Sequence, residues 1–395
     1  MENYIPSHKK FILLEGCNYI DYPNGGQLTF AKRMIEQFSQ EILLVGVTDS
    51  DNTPVGKWTK VRINNIEFDY FAFRKINKNI KRPFIPARIS DYLAIKKYKK
   101  NILSKKVDRV FIQAPELLMA TSKWKWESIC YRFAGVENPL KNSRYSWGKL
   151  LSNIFEYLLF HSLKKANVIL ASADKKSINE MIRRSKGVLD DRPIIQFPTR
   201  VDTKYYKPLK KELVNRELKI SNQFSPIIVS CGRLNNAKGW KLIIDAFSIF
   251  VKDYPNAKLY FVGDGEDRKL LQKTIDAKKI NESVHITGFQ NPAEVRLWLN
   301  LSDVVVVGSI IEGWSNTILE ALACGKPIVT TDISGARDMI KIGYNGYIID
   351  VRKPKIMSDC IKKALNLKNA EEVSLKIVEN YKLDNLKNDI KKIWY

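Results

Sequence analysis

Only three histidines, His8, His161 and His285, occur in the 395 residues. A histidine general base is therefore scarcely available, and no cysteine–histidine cluster has the spacing of a zinc site. The five cysteines (17, 130, 231, 324 and 360) are odd in number, widely spaced and form no Cys-x-x-Cys pair. That pattern excludes a disulfide framework and fits free thiols in a reducing cytoplasm. No apolar run approaches the roughly 20 residues of a membrane-spanning helix, and Met1 to Lys10 lack the apolar core of a signal peptide. The expectation is a cytoplasmic protein, soluble or peripheral at the inner face of the cell membrane.

Acidic residues are also in short supply: 42 stand against 66 basic ones, for a net charge of +24. Basic runs such as Arg74-Lys-Ile-Asn-Lys-Asn-Ile-Lys-Arg82 and Lys96-Lys-Tyr-Lys-Lys100 lie in the first half. Two readings of the charge stay open. One is a Lys/Asn/Ile bias in the coding sequence, and the other is a basic face for an anionic membrane surface. Nucleic acid is not an expected partner, because no recognition motif accompanies the charge.

What is present is a succession of short apolar runs alternating with helical patterns, the signature of parallel α/β sheets. Strands are expected at 10–14, 42–47, 66–73, 107–112, 128–133, 168–171 and 194–197 in the first half. In the second half they are expected at 226–230, 258–262, 284–287, 304–307, 327–331 and 347–349. Two prolines in a polar segment place the boundary near 198–208, with 210–223 as a surface connection. The domains are thus expected at 1–205 and 206–379, followed by a helix over 380–395 with Leu383, Leu386, Ile390 and Ile393–Trp394 toward one side.

The richest segment is Glu312-Gly-Trp-Ser-Asn-Thr-Ile-Leu-Glu320, after the apolar run Asp303-Val-Val-Val-Val-Gly308. The run reads as a buried strand, Ser315 as an N-cap, and Asn316 and Thr317 as the first turn of a helix. Unpaired N–H groups at that helix start suit a diphosphate. Glu312 in the loop and Glu320 one turn into the helix would reach two parts of one ligand, a sugar hydroxyl and a ribose diol. The arrangement points to a nucleotide-sugar site.

This segment resembles the signature of retaining glycosyltransferases of the two-domain GT-B fold, family four (glycosyl transferases group 1), in which two glutamates are separated by seven residues. Cys231-Gly-Arg-Leu-Asn-Asn-Ala-Lys-Gly239, Phe261-Val-Gly-Asp-Gly-Glu266, His285-Ile-Thr-Gly-Phe289 and Lys326-Pro-Ile-Val-Thr-Thr-Asp-Ile-Ser-Gly335 follow in the family's order. Pro198-Thr-Arg-Val-Asp202 resembles the opening of the C-terminal domain, and Asn24-Gly-Gly-Gln27 is the main match in the first half. The resemblance implies two Rossmann-like domains facing across a cleft, the first on the acceptor side and the second on the donor side. It further implies a last helix that crosses back to the first domain.

Under the resemblance, Glu312, Arg233 and Lys238 are the catalytic candidates. Donor-binding candidates are Glu320, Gly313, Trp314, Ser315, Asn316, Thr317, Gly25, Gly26, Gly263 and Phe289, the last at the wall around the nucleobase. Two cations after a strand can neutralise a departing nucleoside diphosphate. The donor would be a UDP- or GDP-sugar, and no metal or other cofactor is expected. Asp49-Ser-Asp51 imitates a metal-binding D-x-D but sits in a Ser/Asp/Asn-rich turn. Family members often carry a functional histidine where this chain has Phe133 or Ala134, and Arg132 and Glu137 are the candidate substitutes for it.

Leu150, Leu151, Ile154, Phe155, Leu158 and Leu159 fall at helical spacing within Trp147–Lys164. That stripe is either core or a membrane-facing surface beside a lipid-linked acceptor. The expected function is retaining transfer of a sugar to a glycan or lipid-linked acceptor in cell-surface polysaccharide synthesis. The alternatives are a non-catalytic nucleotide-sugar or polyanion binder and a nucleotide-sugar epimerase of the same fold.

Overall fold

The computed structural model describes residues 10–23, 25–80, 83–141, 145–220 and 225–395. Asn24 of the glycine motif, the end of the basic run at 81–82, residues 1–9 of the leader reading and 221–223 of the connection lie outside the described residues. The chain forms two compact units, one of Met1–Pro198 with Asp384–Tyr395 and one of Thr199–Leu383. The sequence expectation had divided the chain at 205/206 and 379/380.

The first unit carries β1 (Phe11–Leu14), β2 (Ile42–Thr48), β3 (Trp58–Ile63), β4 (Ile66–Lys75), β5 (Arg109–Ile112), β6 (Ser128–Phe133), β7 (Val168–Ala171) and β8 (Ile194–Gln196). They form one sheet in the order β3-β4-β2-β1-β5-β6-β7-β8. β1 and β2 are buried along their whole length, as parallel strands covered on both faces must be. β3 departs from the expected pattern. It was absent from the predicted strands, and it pairs antiparallel with β4 at the sheet edge. The link is Asn64-Asn65, both at positive φ (49° and 63°), as a two-residue hairpin turn requires.

The C-terminal helix begins at Leu386, later than expected. Short 3-10 turns at Glu379–Tyr381 and Leu383–Asn385 precede the helix Leu386–Trp394. Leu386 and Ile390 are fully buried. The Trp394 indole stands edge-on to Phe11 at 5.2 Å, and its Nε1 donates to Ser128 Oγ at 2.7 Å. The last helix is therefore part of the first unit, as the resemblance implied.

The stripe in 147–164 is divided: Leu159 is core and Phe155 packs against it, while the rest faces outward. A break separates the helices Ser146–Leu150 and Ser152–Leu163. Leu159, Phe160 and Leu163 are buried, whereas Leu150, Leu151, Ile154 and Leu158 are exposed.

The second unit is a six-stranded, all-parallel sheet of β9 (Ile227–Cys231), β10 (Lys258–Val262), β11 (Val284–Gly288), β12 (Val304–Val307), β13 (Ile328–Thr331) and β14 (Gly346–Ile349). Its order is β11-β10-β9-β12-β13-β14. The direction of winding reverses between β9 and β12, and open α/β sheets bind ligands beyond the carboxyl ends of strands at such a point.

Candidate active site

The carboxyl ends of β9 and β12 open into a shallow pocket. After β9 the chain turns at Gly232, passes Arg233 and makes a 3-10 turn over Asn236–Lys238, capped by the Asn235 side chain accepting from Lys238 N–H at 3.1 Å. Gly239, at φ 66°, then starts the helix Trp240–Phe250. After β12 the loop carries Gly308, Ser309 and Glu312 to Ser315, the N-cap of helix Asn316–Ala323.

Two contacts lock these loops together. Ile310 N–H donates to the Ala237 carbonyl at 2.8 Å. Gly239 packs so closely on Gly308 that a Cβ there would lie 1.7 Å from the Gly308 oxygen. The result joins Lys238 Nζ to Glu312 Oε1 in an ion pair, with Ser309 Oγ donating to the same oxygen at 2.8 Å. The Glu312 side chain is 15% exposed and that of Lys238 is 37% exposed. Arg233 lines the same pocket and donates from Nε to Glu266 at 2.9 Å.

The other candidates divide. Thr317 lines the pocket and Ser315 caps its helix by accepting from Ile318 N–H. Gly313 and Asn316 flank that cap. Glu320 lies one turn further along, close enough for its charge to join burial in pushing the Cys231 thiol up. Gly263 follows β10, where a Cβ would meet the Gly232 carbonyl oxygen at 2.0 Å, so it backs the Arg233 loop. Trp314 is different: its indole is 5% exposed, packed against Tyr381 and Gly335 in the core. Its side chain is not in the pocket wall. Phe289 is 71% exposed after β11, two strands away from β9, and is also outside that wall.

Sequence reading missed the groups that hold the Glu312 loop. Thr331 Oγ1 and Arg352 Nη1 both donate to the Ser309 carbonyl, at 2.6 and 2.8 Å, and Arg352 Nη2 donates to that of Gly308 at 2.9 Å. Arg352 stands 43 residues beyond Ser309 in a plain polar turn, so no local pattern could have marked it.

In the first unit, Gly25 and Gly26 open the helix Gly26–Phe38 after β1. The sheet reverses between β1 and β5, and there Glu15 accepts from Gln113 Nε2 at 2.8 Å. Gln113 Oε1 accepts from Arg132 Nη1 at 2.6 Å, while Arg132 Nη2 donates to Ser172 Oγ. Both Nη groups of Arg132 are thus engaged inside the unit, with its guanidinium stacked over Phe30, and the side chain is buried in the core. Glu137 is exposed beside Ala134. Asp49 and Asp51 are paired with Lys78 and Lys75, so the apparent D-x-D is committed to surface ion pairs.

Burial raises the Glu15 carboxyl from 4.5 to about 8, against the lowering effect of Gln113 and Arg132. The folded state therefore holds a proton that the unfolded chain gives up. That contribution is complete below about pH 4.5 and is lost as the pH climbs to about 8. Asp91, raised by burial to about 7 beside Arg74, acts in the same sense. Glu15→Gln should flatten the fall of melting temperature across that window. An unchanged slope in the variant would remove Glu15 as its source.

Known proteins resemble this chain in its second half by sequence and over nearly its whole length by fold. Residues 214–383 match the family model of glycosyl transferases group 1. The chain is 31% identical over 187 residues to the alpha-monoglucosyldiacylglycerol synthase of Acholeplasma laidlawii, covering 44% of this chain and 46% of that protein. It is 32% identical over 187 residues to the poly(glycerol-phosphate) alpha-glucosyltransferase of Bacillus subtilis, covering 45% and 26%. The chain spans less than half the length of these two relatives. Among solved structures, sucrose-phosphate synthase from Thermosynechococcus elongatus superposes with a TM-score of 0.76 at 12% identity, covering 97% of this chain and 98% of that one. The Anabaena HepE protein, solved with UDP and glucose, gives 0.69 at 16% identity, covering 96% and 99%. These structures establish the GT-B fold, and most of the second unit is similar to the group 1 glycosyltransferase model.

Proposed function

We propose that the chain moves a sugar from a nucleoside-diphosphate sugar to a hydroxyl of a glycan or lipid-linked acceptor, with retention at the anomeric carbon. The observation that carries this reading is the Lys238–Glu312 pair at the β9/β12 reversal, with Arg233 and the start of helix Asn316–Ala323 in the same pocket. The cations and helix N–H groups meet the diphosphate as negative charge develops on it. Glu312 orients sugar hydroxyls and supports positive charge at the anomeric carbon, and Glu320 takes the ribose diol. The acceptor oxygen then bonds to the anomeric carbon on the face the diphosphate leaves, and a β-phosphate oxygen takes the acceptor's proton. No histidine is needed for that step, which suits a chain with Phe133 and Ala134 where family members often carry one. The similarity to HepE, whose structure holds UDP and glucose, favours a UDP-sugar over a GDP-sugar. The names of the two relatives favour a glycolipid or surface-polymer acceptor, with the enzyme peripheral at the inner face of the cell membrane. No helix among the described residues is long and apolar enough to cross a membrane.

The test is a screen of purified protein against UDP- and GDP-sugars, reading nucleotide release and thermal stabilisation, with Glu312→Gln alongside. One donor should stabilise the protein, and the variant should lose release. Stabilisation without release in the wild type would identify a non-catalytic binder, and no stabilisation by any donor would end the reading. Because Arg233 and Lys238 take a metal's charge role here, excess EDTA should leave the rate unchanged. A rate abolished by EDTA and restored by a divalent cation would overturn that assignment.

A further inference from the structure

The first unit holds a groove that the donor chemistry leaves unused. It has a volume of about 910 Å³, with Ile89, Tyr92, Met119, Trp147, Phe155 and Leu158 in its wall. Two smaller pockets, of about 280 and 190 Å³, adjoin it at the carboxyl ends of β5, β6 and β1, and Arg88 lines all three. The space is therefore apolar at one end and polar at the other. At the junction, Arg88 Nη1 and Glu116 Oε2 are buried without a hydrogen-bond partner. A buried donor left unpaired costs free energy that an anionic oxygen would recover.

The groove's outer rim continues onto the exposed face of the two helices at 146–163. Ile154 (58% exposed) and Leu158 (50%) stand one turn apart, and Leu150 (82%) lies just before them. Phe84, Ile85 and Leu93 are exposed near the facing helix Ala87–Lys97. On these helices and the residues that flank them, Lys96, Lys97, Lys99, Lys100, Lys149, Lys164 and Lys165 are all exposed. The acids of 87–103 and 145–165 are Asp91 and Glu156, which are paired with Arg74 and Arg184. These segments thus present exposed apolar side chains and seven exposed lysines against two acids, both of them paired. A bilayer of anionic lipid matches them, since insertion buries the apolar groups and each lysine near the surface adds ~1 kcal/mol.

We propose that the first unit seats on an anionic bilayer through this face and draws the apolar chain of a lipid-linked acceptor into the groove, with the acceptor's anionic head against Arg88. The lipid nature of the acceptor rests on the transferase reading above, whereas the seating does not.

Sedimentation of the full chain with vesicles of phosphatidylglycerol and of phosphatidylcholine tests the seating. Binding should favour phosphatidylglycerol, weaken with salt, and fall at least about tenfold in Ile154→Asp/Leu158→Asp, as expected when two inserted side chains become charged. The variant should keep its thermal stabilisation by UDP, which reports on the second unit. Arg88→Gln should leave vesicle binding intact but weaken binding of fluorescent lysophosphatidylglycerol, held below its micelle concentration, by about tenfold. Wild-type protein that ignores phosphatidylglycerol vesicles, or a double-Asp variant that binds them equally well, would overturn the seating. So would a wild-type dimer split by the double-Asp change without vesicle binding, which would assign the face to a second copy. Equal lysolipid binding by Arg88→Gln would overturn the head-group assignment. Loss of UDP stabilisation in the wild type would strike the transferase reading and leave the seating standing.

Discussion

Lys238→Ala should lower turnover by on the order of a hundredfold, the equivalent of ~3 kcal/mol of transition-state stabilisation. The ammonium group is held by Glu312 at the mouth of β9 and β12, in the one described pocket that carries both residues. When a diphosphate departs, that charge meets a developing dianion, so the loss should fall on kcat more than on KM. Removing it also leaves the Glu312 carboxylate, 15% exposed, without its cation. Glu312→Gln should cost at least as much, and Ser309 would still hold the amide in place. Arg233→Ala should also fall by on the order of a hundredfold, because it faces the same diphosphate once released from Glu266. Since both cations act on one leaving group, the double variant should lose less than the product of the single losses. Steady-state rates on the donor found by the screen decide the matter. Wild-type turnover in either cation variant would remove that residue from the mechanism.

Much of this site could be read in advance because its parts announce themselves locally. Gly232, Gly239 and Ser315 are residue types that a tight turn or a cap demands at that spacing, and the loops they shape bring Glu312 to Lys238. The strands around them are short, largely apolar runs bounded by turn residues, as buried parallel strands are. What stayed hidden depends on the packed structure. β3 alternates apolar and charged residues as an edge strand does, and its turn is Asn64-Asn65 where a glycine-containing pair is the stronger hairpin signal. Trp314 sits inside the signature segment, yet its indole turns inward against Tyr381 and Gly335, which sequence spacing does not reveal. Arg352 and Thr331 meet Ser309 only because β13 and the turn after β14 are laid beside β12 by the sheet order. In the first unit, Arg132 reads in the sequence as a free cation beside an expected histidine, and the fold spends it on Gln113 and Ser172.

Gly239→Ala should unfold the second unit's site more severely than any surface change, lowering stability by about 4 kcal/mol or more. Two costs add. A residue other than glycine at φ 66° pays roughly 1 kcal/mol. The larger cost is steric: the new methyl would lie 1.7 Å from the Gly308 oxygen and 2.8 Å from Arg352 Nη2. The oxygen belongs to the backbone and is held by Arg352, so the contact is relieved only by parting the β9 and β12 loops. Parting them separates Lys238 from Glu312, so donor stabilisation and turnover should vanish together with the melting temperature's fall. Gly343→Ala is the matched control. Its φ is 81°, but a Cβ there meets nothing within 4 Å, so it should pay the backbone cost alone. In a unit of this size each kcal/mol shifts the melting temperature by about 2–4 °C. The two variants should then differ by about 6–12 °C, from ~3 kcal/mol of steric cost. Equal melting temperatures would mean that the two loops separate freely, and the pairing of Lys238 with Glu312 would lose its rigid support.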